Sequence, residues 1–159
     1  MNTQKKSPVK PLRRQFSQFS AATRHYSSLP LDKAEAVTRY LDAYSSATLP
    51  EAARPGTRFL RTCPFIYFRM KEIDRRVWLT LIFTNNPGRG FGRMGLSWLC
   101  CLADDLGVTL YLIVGRPERL GPEFLSNEAL KAWYLRYGFR EWGREMEKPV
   151  LVRPPKHRH

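Results

Sequence analysis

The regular hydrophobic pattern of the chain begins near residue 32. Asp32 and Glu35 stand three residues apart, as in the capping box that opens many helices. The apolar residues that follow recur at helical spacing, namely Ala34, Val37, Leu41 and Tyr44. We therefore predict a helix from Asp32 to about Ser46, followed by a break between Pro50 and Gly56.

The next stretch has the alternation and the composition of strands. Phe65–Met70 and Arg76–Thr84 are rich in aromatic and branched residues, and the charged segment Lys71–Arg75 joins them. This pattern predicts a β-hairpin. A shorter strand is predicted at Thr57–Arg61.

A glycine-rich segment, Asn85–Arg93, separates these strands from a second helical pattern. Apolar residues at helical spacing follow it, namely Leu96, Leu99, Ala103 and Leu106. Gly107 is expected to end this helix. Val108–Val114 is an unbroken apolar run, which is typical of a strand buried on both faces.

The last part of the pattern predicts one helix and two strands. Ser126 is a good N-cap for a helix over Asn127–Tyr137, and Phe139–Trp142 and Met146–Val152 have strand character. The two long strands on either side of the second helix should run parallel through a right-handed crossover. The order of elements predicts an α/β fold with one mixed sheet and helices on both of its faces.

Composition adds an expectation of an anionic partner. The 159 residues carry a formal charge of +13, and residues 1–31 contain no Asp or Glu. We expect a flexible basic arm over residues 1–30, a folded domain over 31–153 and a basic tail over 154–159. The arm also has the composition of an organelle transit peptide.

The cysteines and the lengths of the apolar runs bear on metal binding, cellular location and membrane association. Cys63, Cys100 and Cys101 form neither a disulfide framework nor a zinc pattern, so we expect no metal and a reduced, cytoplasmic location. No apolar run reaches the roughly 18 residues that a membrane span needs, so no membrane partner is expected.

The glycine-rich segment is the strongest candidate for chemistry. A strand, a glycine-rich turn and a helix in succession form an anion site, because the first helical N–H groups are unpaired and the helix dipole favours negative charge. Three glycines alone are equally compatible with a surface turn.

Two motifs at the correct mutual spacing resemble the GNAT (GCN5-related N-acetyltransferase) superfamily. Pro87–Gly92 is similar to the glycine-rich cofactor motif of the family, followed at family spacing by Ala103 and Gly107. A second motif is matched without a gap by Asn127, Tyr134, Gly138 and Phe139. The similarity covers about residues 57–153, including Met146–Lys148 in the last strand. Pro87 stands where the family has Arg or Gln, and Gly95 stands where it has a large apolar residue.

The resemblance implies transfer of an acetyl group from acetyl-CoA to an amine acceptor. The residues expected to hold acetyl-CoA are Leu81, Ile82, Phe83, Gly88, Arg89, Gly90, Phe91, Gly92, Arg93 and Asn127. Tyr134 matches the general acid of the family, although a helical Tyr is also an ordinary core residue. No general base is evident, since Glu72 and Asp74 lie in the predicted hairpin turn. The resemblance also leaves a homodimer open.

Two further questions stay open at this stage. Several aromatic residues fit either an acceptor pocket or the core, namely Phe65, Tyr67, Phe68, Trp78 and Trp133. The function can also be that of a GNAT-like protein that binds and modulates another, acidic protein, for example a virus-encoded modulator of a host enzyme. A nucleic-acid binder rests on charge alone.

Overall fold

The computed structural model describes residues 31–115 and 125–157. Its helices are α1 (Ala34–Ala47), α2 (Phe91–Leu106) and α3 (Asn127–Arg136). Its strands are β1 (Thr48–Pro50), β2 (Arg58–Leu60), β3 (Ile66–Ile73), β4 (Arg76–Thr84), β5 (Leu110–Ile113), β6 (Arg140–Glu145) and β7 (Lys148–Arg153). The predictions made for residues 1–30 and for the end of the tail lie outside these described residues.

The described strands form one mixed sheet of seven strands in the order β1-β2-β3-β4-β5-β7-β6. β4 and β5 run parallel, with Val77 opposite Leu110 and Leu79 opposite Leu112, and every other pair is antiparallel. The predicted mixed sheet and the parallel crossover through α2 are therefore confirmed.

The two long hairpins are tighter than predicted. The expected turn Lys71–Arg75 is reduced to Asp74 and Arg75, which have φ of 51° and 59°. Positive φ at both positions is typical of the turn that matches the twist of paired strands. Met146 and Glu147, with φ of 48° and 65°, join β6 to β7 in the same way. The last strand therefore starts at Lys148.

The predicted capping box at the start of α1 is wrong. Lys33 is the N-cap, and no side chain caps the helix. The Asp32 carboxylate instead accepts hydrogen bonds from the Thr109 backbone N–H at 2.9 Å and from its hydroxyl at 3.0 Å. These two bonds hold the residue before Lys33 and α1 against Thr109, which precedes β5. The Asp32 carboxylate is therefore bound by distant donors and not by an N–H group of its own helix.

The three described helices pack into one hydrophobic core on the same face of the sheet. The connections from β4 to β5 and from β5 to β6 step in the same direction along the sheet, so right-handed crossovers place α2 and α3 on the same side. The Tyr40 hydroxyl donates to the Leu99 carbonyl at 3.3 Å, which joins α1 to α2. The Arg153 guanidinium donates to the carbonyl of Tyr137, the C-cap of α3, at 2.7 Å and to Asp104 of α2.

Gly95 of α2 allows this helix to sit close to the sheet. A Cβ atom at this position would lie 2.5 Å from Ile66 Cγ1 and 2.9 Å from Phe68 Cζ. Both neighbours are fully buried in the core. Glycine therefore replaces a larger residue at this position because Ile66 and Phe68 already fill the space.

Candidate functional site

The glycine turn between β4 and α2 leaves its backbone open. Gly88 and Gly90 have φ of 80° and 77°, and a Cβ atom on either would meet no atom within 4 Å. Gly90 is the N-cap of α2 and provides no side-chain cap, so no cap occupies the N–H groups of the first turn. Thr84 orders the entry to the turn, since its hydroxyl accepts from the Asn86 N–H at 3.1 Å. The turn is therefore free to receive an anion.

β4 contains a bulge next to the point at which its pairing with β5 ends. Arg69 of β3 lies opposite Leu81 and Met70 lies opposite Leu79, so Thr80 is the extra residue. The Thr80 hydroxyl donates to the Arg69 carbonyl at 3.1 Å, which holds the bulge in place. Pairing between β4 and β5 stops at Leu79, and the following residues of β4 have no partner on that edge among the described strands.

The opening between β4 and β5 is a cavity of about 440 Å³, within the range of small-molecule sites. Four parts of the structure supply its walls: the free edge of β4, the glycine turn with the start of α2, the end of β5 with Gly115, and α3 with Leu125, two residues before it. The lining residues are Leu79, Thr80, Leu81, Ile82, Phe83, Thr84, Pro87, Gly88, Gly90, Gly92, Arg93, Ile113, Gly115, Leu125, Leu130, Trp133 and Tyr134.

The cavity brings together most of the residues that the sequence predicted for the site. Leu81, Ile82 and Phe83 supply the strand edge, three glycines and Arg93 supply the turn, and Tyr134 lies on the opposite wall. Three predicted residues are outside the lining. Phe91 stacks on Phe65 with ring centroids 5.0 Å apart, Arg89 is exposed in the turn, and Asn127 is exposed at the first position of α3.

Tyr134 is held in the cavity wall by α3. Its ring packs against Phe139 at 5.6 Å and against Trp133 at 5.2 Å, and the residue is 5% exposed. Burial raises the pKa of the Tyr134 hydroxyl well above its ordinary value. The hydroxyl therefore stays protonated at physiological pH, so it can donate a hydrogen bond to a ligand but cannot act as a base.

The structure divides the aromatic residues between the core and the site. Phe68 and Trp78 are fully buried, and Phe65 is 46% exposed. Trp133 lines the cavity, and its ring also lies 3.7 Å from the Cβ position of Gly92. Trp133 and Leu130 were not predicted as cofactor residues, although Leu130 precedes Trp133 by three residues and Tyr134 by four, a spacing that makes it a neighbour of both on α3.

The described lining carries no carboxylate and no imidazole. Glu72 is paired in β3 opposite Val77, and Asp74 is in the hairpin turn, so both lie at the end of β4 away from the free edge. The cavity therefore combines a glycine turn with an open backbone, a strand edge without a partner among the described strands, and the hydroxyl of Tyr134, and its described walls carry no carboxylate or imidazole.

Residues 31–115 and 125–157 contain no cluster of three side chains that could bind a metal ion. No helix within these ranges is both long enough and apolar enough to cross a bilayer.

Cys63, Cys100 and Cys101 are free thiols, and burial raises the pKa of Cys100 to about 11, which makes it unreactive.

The element order, the separated parallel strands and the glycine turn agree with the resemblance drawn from the sequence. The fold is GNAT-like. The crystal structure of the anti-CRISPR protein AcrVA5 is similar to the chain at 14% identity with a TM-score of 0.46, covering 55% of this chain and 88% of that one.

Two further solved structures are similar to the chain. The PaiA N-acetyltransferase of Thermoplasma acidophilum, in complex with coenzyme A, is 13% identical to the chain with a TM-score of 0.44. The match covers 61% of this chain and 57% of the PaiA chain. A candidate GNAT-family acetyltransferase of Bacteroides thetaiotaomicron is 18% identical to the chain with a TM-score of 0.46. The match covers 94% of this chain and 86% of the Bacteroides chain. No protein-family model and no curated protein matches the chain.

Proposed function

We propose that this protein binds acetyl-CoA in the cavity between β4 and β5 and transfers its acetyl group to an amine acceptor. The observation that supports this proposal is the meeting of the open glycine turn, the free edge of β4 and the buried hydroxyl of Tyr134 in one cavity of about 440 Å³. The backbone N–H groups after Gly88 suit the diphosphate of the cofactor. The unpaired edge at Leu81–Phe83 suits its amide-containing arm.

Arg93 and Arg89 add positive charge at the phosphate end of the cavity. Arg93 is part of the described lining, and Arg89 is exposed in the turn beside it. A hydrogen bond to a charged group contributes roughly 1.5–3 kcal/mol when it is desolvated, and less when it is exposed to water as here. We therefore assign most of the diphosphate affinity to the fixed backbone amides, and a smaller share to these side chains.

Tyr134 acts on the departing sulfur in this proposal. Because its pKa is raised well above the ordinary value, full proton transfer from Tyr134 to a thiolate, with pKa near 8.5, is energetically uphill. The hydroxyl therefore stabilises the developing negative charge on sulfur mainly as a hydrogen-bond donor, which is a form of electrostatic stabilisation of the transition state.

The first experiment measures acetyl transfer by the Tyr134→Phe and Tyr137→Phe variants. The matched control is Tyr137→Phe, which removes the same oxygen about one helical turn away from Tyr134. Tyr137 does not line the cavity. We expect coenzyme A binding by both variants to stay within about twofold of wild type. We expect the rate constant of transfer to fall roughly 100- to 1,000-fold for Tyr134→Phe only, since a positioned donor contributes about this much. Equal rates for the two variants would refute the role of Tyr134.

The binding half of the proposal is tested by titrating the full chain with coenzyme A. We expect saturable binding and a rise in melting temperature at ligand concentrations above the dissociation constant. Arg93→Gln should weaken binding by up to about tenfold, and Arg61→Gln, an exposed Arg outside the lining, should not change it. An unchanged melting temperature at millimolar coenzyme A would refute the proposal.

The absence of a base from the described lining supports a second candidate. A lysine amine with pKa about 10.4 is neutral roughly once in 10³ at pH 7, and no carboxylate or imidazole of the described walls is placed to deprotonate it. The second candidate is accordingly a GNAT-like protein that is weak in catalysis and binds and modulates another protein. The charge of +13 favours an acidic partner for it.

The dependence of the transfer rate on pH separates the two candidates. An enzyme without its own base should show kcat/KM rising about tenfold per pH unit up to the pKa of the acceptor amine. Saturable coenzyme A binding together with no transfer above pH 9 to amines of ordinary pKa would favour the modulator.

A further inference from the structure

Arg153, the last residue of β7, joins the two helices that border the cavity. Its guanidinium donates to both oxygens of the Asp104 carboxylate of α2, at nitrogen–oxygen distances of 2.8 Å and 2.9 Å. Its Nε–H donates to the carbonyl of Tyr137, the C-cap of α3, at 2.7 Å. The Arg153 side chain is 3% exposed, so these bonds are shielded from water. One buried side chain therefore links α3 to α2.

The bond from Arg153 to Tyr137 lies one helical turn from Tyr134. The Tyr137 N–H donates to the Tyr134 carbonyl at 2.9 Å, and the Tyr137 carbonyl accepts from Arg153. A continuous chain of hydrogen bonds thus runs from the backbone of Tyr134 to the Asp104 carboxylate. A change at the Asp104 end of this chain is therefore expected to move the helical turn that carries Tyr134.

The helix α3 has little buried surface that could fix its position by packing. Of its ten residues, Tyr134 is the only one that is buried. The ion pair between Lys131 of α3 and Glu141 of β6 is partly exposed, and such pairs contribute little to stability. The buried link through Arg153 is therefore the main polar constraint on α3 among the described residues.

We propose that Arg153 is a positioning residue for Tyr134, an inference that rests on the proposed function. α2 begins at the glycine turn assigned to the diphosphate, and α3 carries the hydroxyl assigned to the sulfur. By fixing one helix to the other, Arg153 holds the Tyr134 hydroxyl at a constant place relative to the bound cofactor. A misplacement of about 1 Å can slow a reaction roughly 100-fold. Arg153 thus affects the rate without touching the cofactor.

The test is a double-mutant cycle of Arg153→Lys and Tyr134→Phe. It measures the rate constant of acetyl transfer from saturating acetyl-CoA to a lysine-containing peptide at pH about 9.5, where part of the lysine amine is neutral. Lysine keeps the positive charge beside Asp104, but it lacks the planar fork that holds the carboxylate and the Tyr137 carbonyl together.

We expect Arg153→Lys to lower the rate constant roughly tenfold when Tyr134 is present. In the Tyr134→Phe background the same change should lower it by less than about twofold, because a hydroxyl that is absent cannot be misplaced. The dissociation constant of coenzyme A should stay within about twofold of wild type, since the glycine turn is unchanged. A merely structural role would instead lower the rate constant by the same factor in both backgrounds.

Asp32→Ala is the control for lost stability, because it breaks the two bonds to Thr109 and Asp32 does not line the cavity. It should keep the wild-type rate constant at a temperature where circular dichroism shows every variant to be folded. Asp104→Asn weakens the link from the side of α2, and it should give the same pattern if Arg153→Lys does not fold. An equal fall in both backgrounds, or no fall in either, would overturn this inference and leave the proposed function standing. No transfer by the wild type, or an unchanged rate for Tyr134→Phe, would remove the proposed role of Tyr134 and this inference with it.

Discussion

Replacing Gly95 with Ala tests whether packing or helix propensity decides the sequence of α2. Ala is favoured over Gly inside a helix by about 1 kcal/mol, so propensity alone predicts a more stable protein. The added Cβ atom would, however, lie 2.5 Å from Ile66 Cγ1 and 2.9 Å from Phe68 Cζ. Both side chains are fully buried, and forcing a methyl group into a filled core costs about 1–3 kcal/mol.

Gly92→Ala is the matched control on the same helix. Its Cβ atom would lie 3.7 Å from two atoms of the Trp133 ring, which is an ordinary van der Waals contact. The gain in propensity should be smaller for Gly92 than for Gly95, because Gly92 is in the first turn. Propensity alone therefore predicts that Gly95→Ala is the more stable variant, whereas packing predicts the reverse order.

The free energy of unfolding of both variants can be measured by urea titration of the ligand-free protein. We expect Gly92→Ala to stay within about 0.5 kcal/mol of wild type or to exceed it, and Gly95→Ala to lie about 1–3 kcal/mol below Gly92→Ala. For a folded region of this size the difference corresponds to several degrees in melting temperature. A Gly95→Ala variant more stable than Gly92→Ala would refute the reasoning.

Two further predictions concern partly buried carboxylates and have opposite pH dependence. Burial raises the pKa of Asp104, but hydrogen bonds from Arg153 and the Lys156 N–H outweigh this effect, so the pKa of Asp104 is lowered overall. The contribution of Asp104 to stability is therefore complete above pH about 4 and is lost as the pH falls through the folded pKa. Asp104→Asn should cost about 2–3 kcal/mol at pH 7 and remove this loss, because Arg153 is 3% exposed, whereas Glu35→Gln, at an exposed pair, should cost under about 0.5 kcal/mol. Burial raises the pKa of Asp32, so its contribution is complete below pH about 4 and is lost as the pH rises through the folded pKa. Asp32→Asn should therefore be at least as stable as wild type at pH 7, whereas Asp32→Ala should lose about 1–3 kcal/mol because the Thr109 N–H is left without its acceptor. Unfolding titrations from pH 3 to pH 7 check both, and parallel pH profiles for wild type and the Asn variants would contradict them.

Local patterns predicted the elements that depend on local sequence. The alternation in Arg76–Thr84 and the spacing of Leu96, Leu99 and Ala103 gave β4 and α2 correctly. The capping box at Asp32 failed because its true partner, Thr109, lies 77 residues away. A motif shorter than one helical turn does not indicate which distant backbone group will compete for the same carboxylate.

The site was predictable where backbone chemistry limits the choice of residue. Gly88 and Gly90 adopt positive φ, which glycine tolerates best, so the motif predicted an open turn that the structure contains. Leu130 and Trp133 line the cavity only because of the direction in which α3 meets the sheet, and their apolar side chains are equally suited to a core. Their place depends on tertiary geometry that the local sequence does not encode.

The bulge beside the cavity falls on a residue without a sequence signal. Thr80 is a polar residue within a strand, yet it is the extra residue in the pairing of β4 with β3, and the pairing of β4 with β5 stops one residue earlier, at Leu79. Beyond the bulge, Leu81, Ile82 and Phe83 line the cavity together with the glycine turn and Tyr134. The alternation of Arg76–Thr84 indicates a strand, but it does not indicate a bulge, because a bulge depends on the register between two strands.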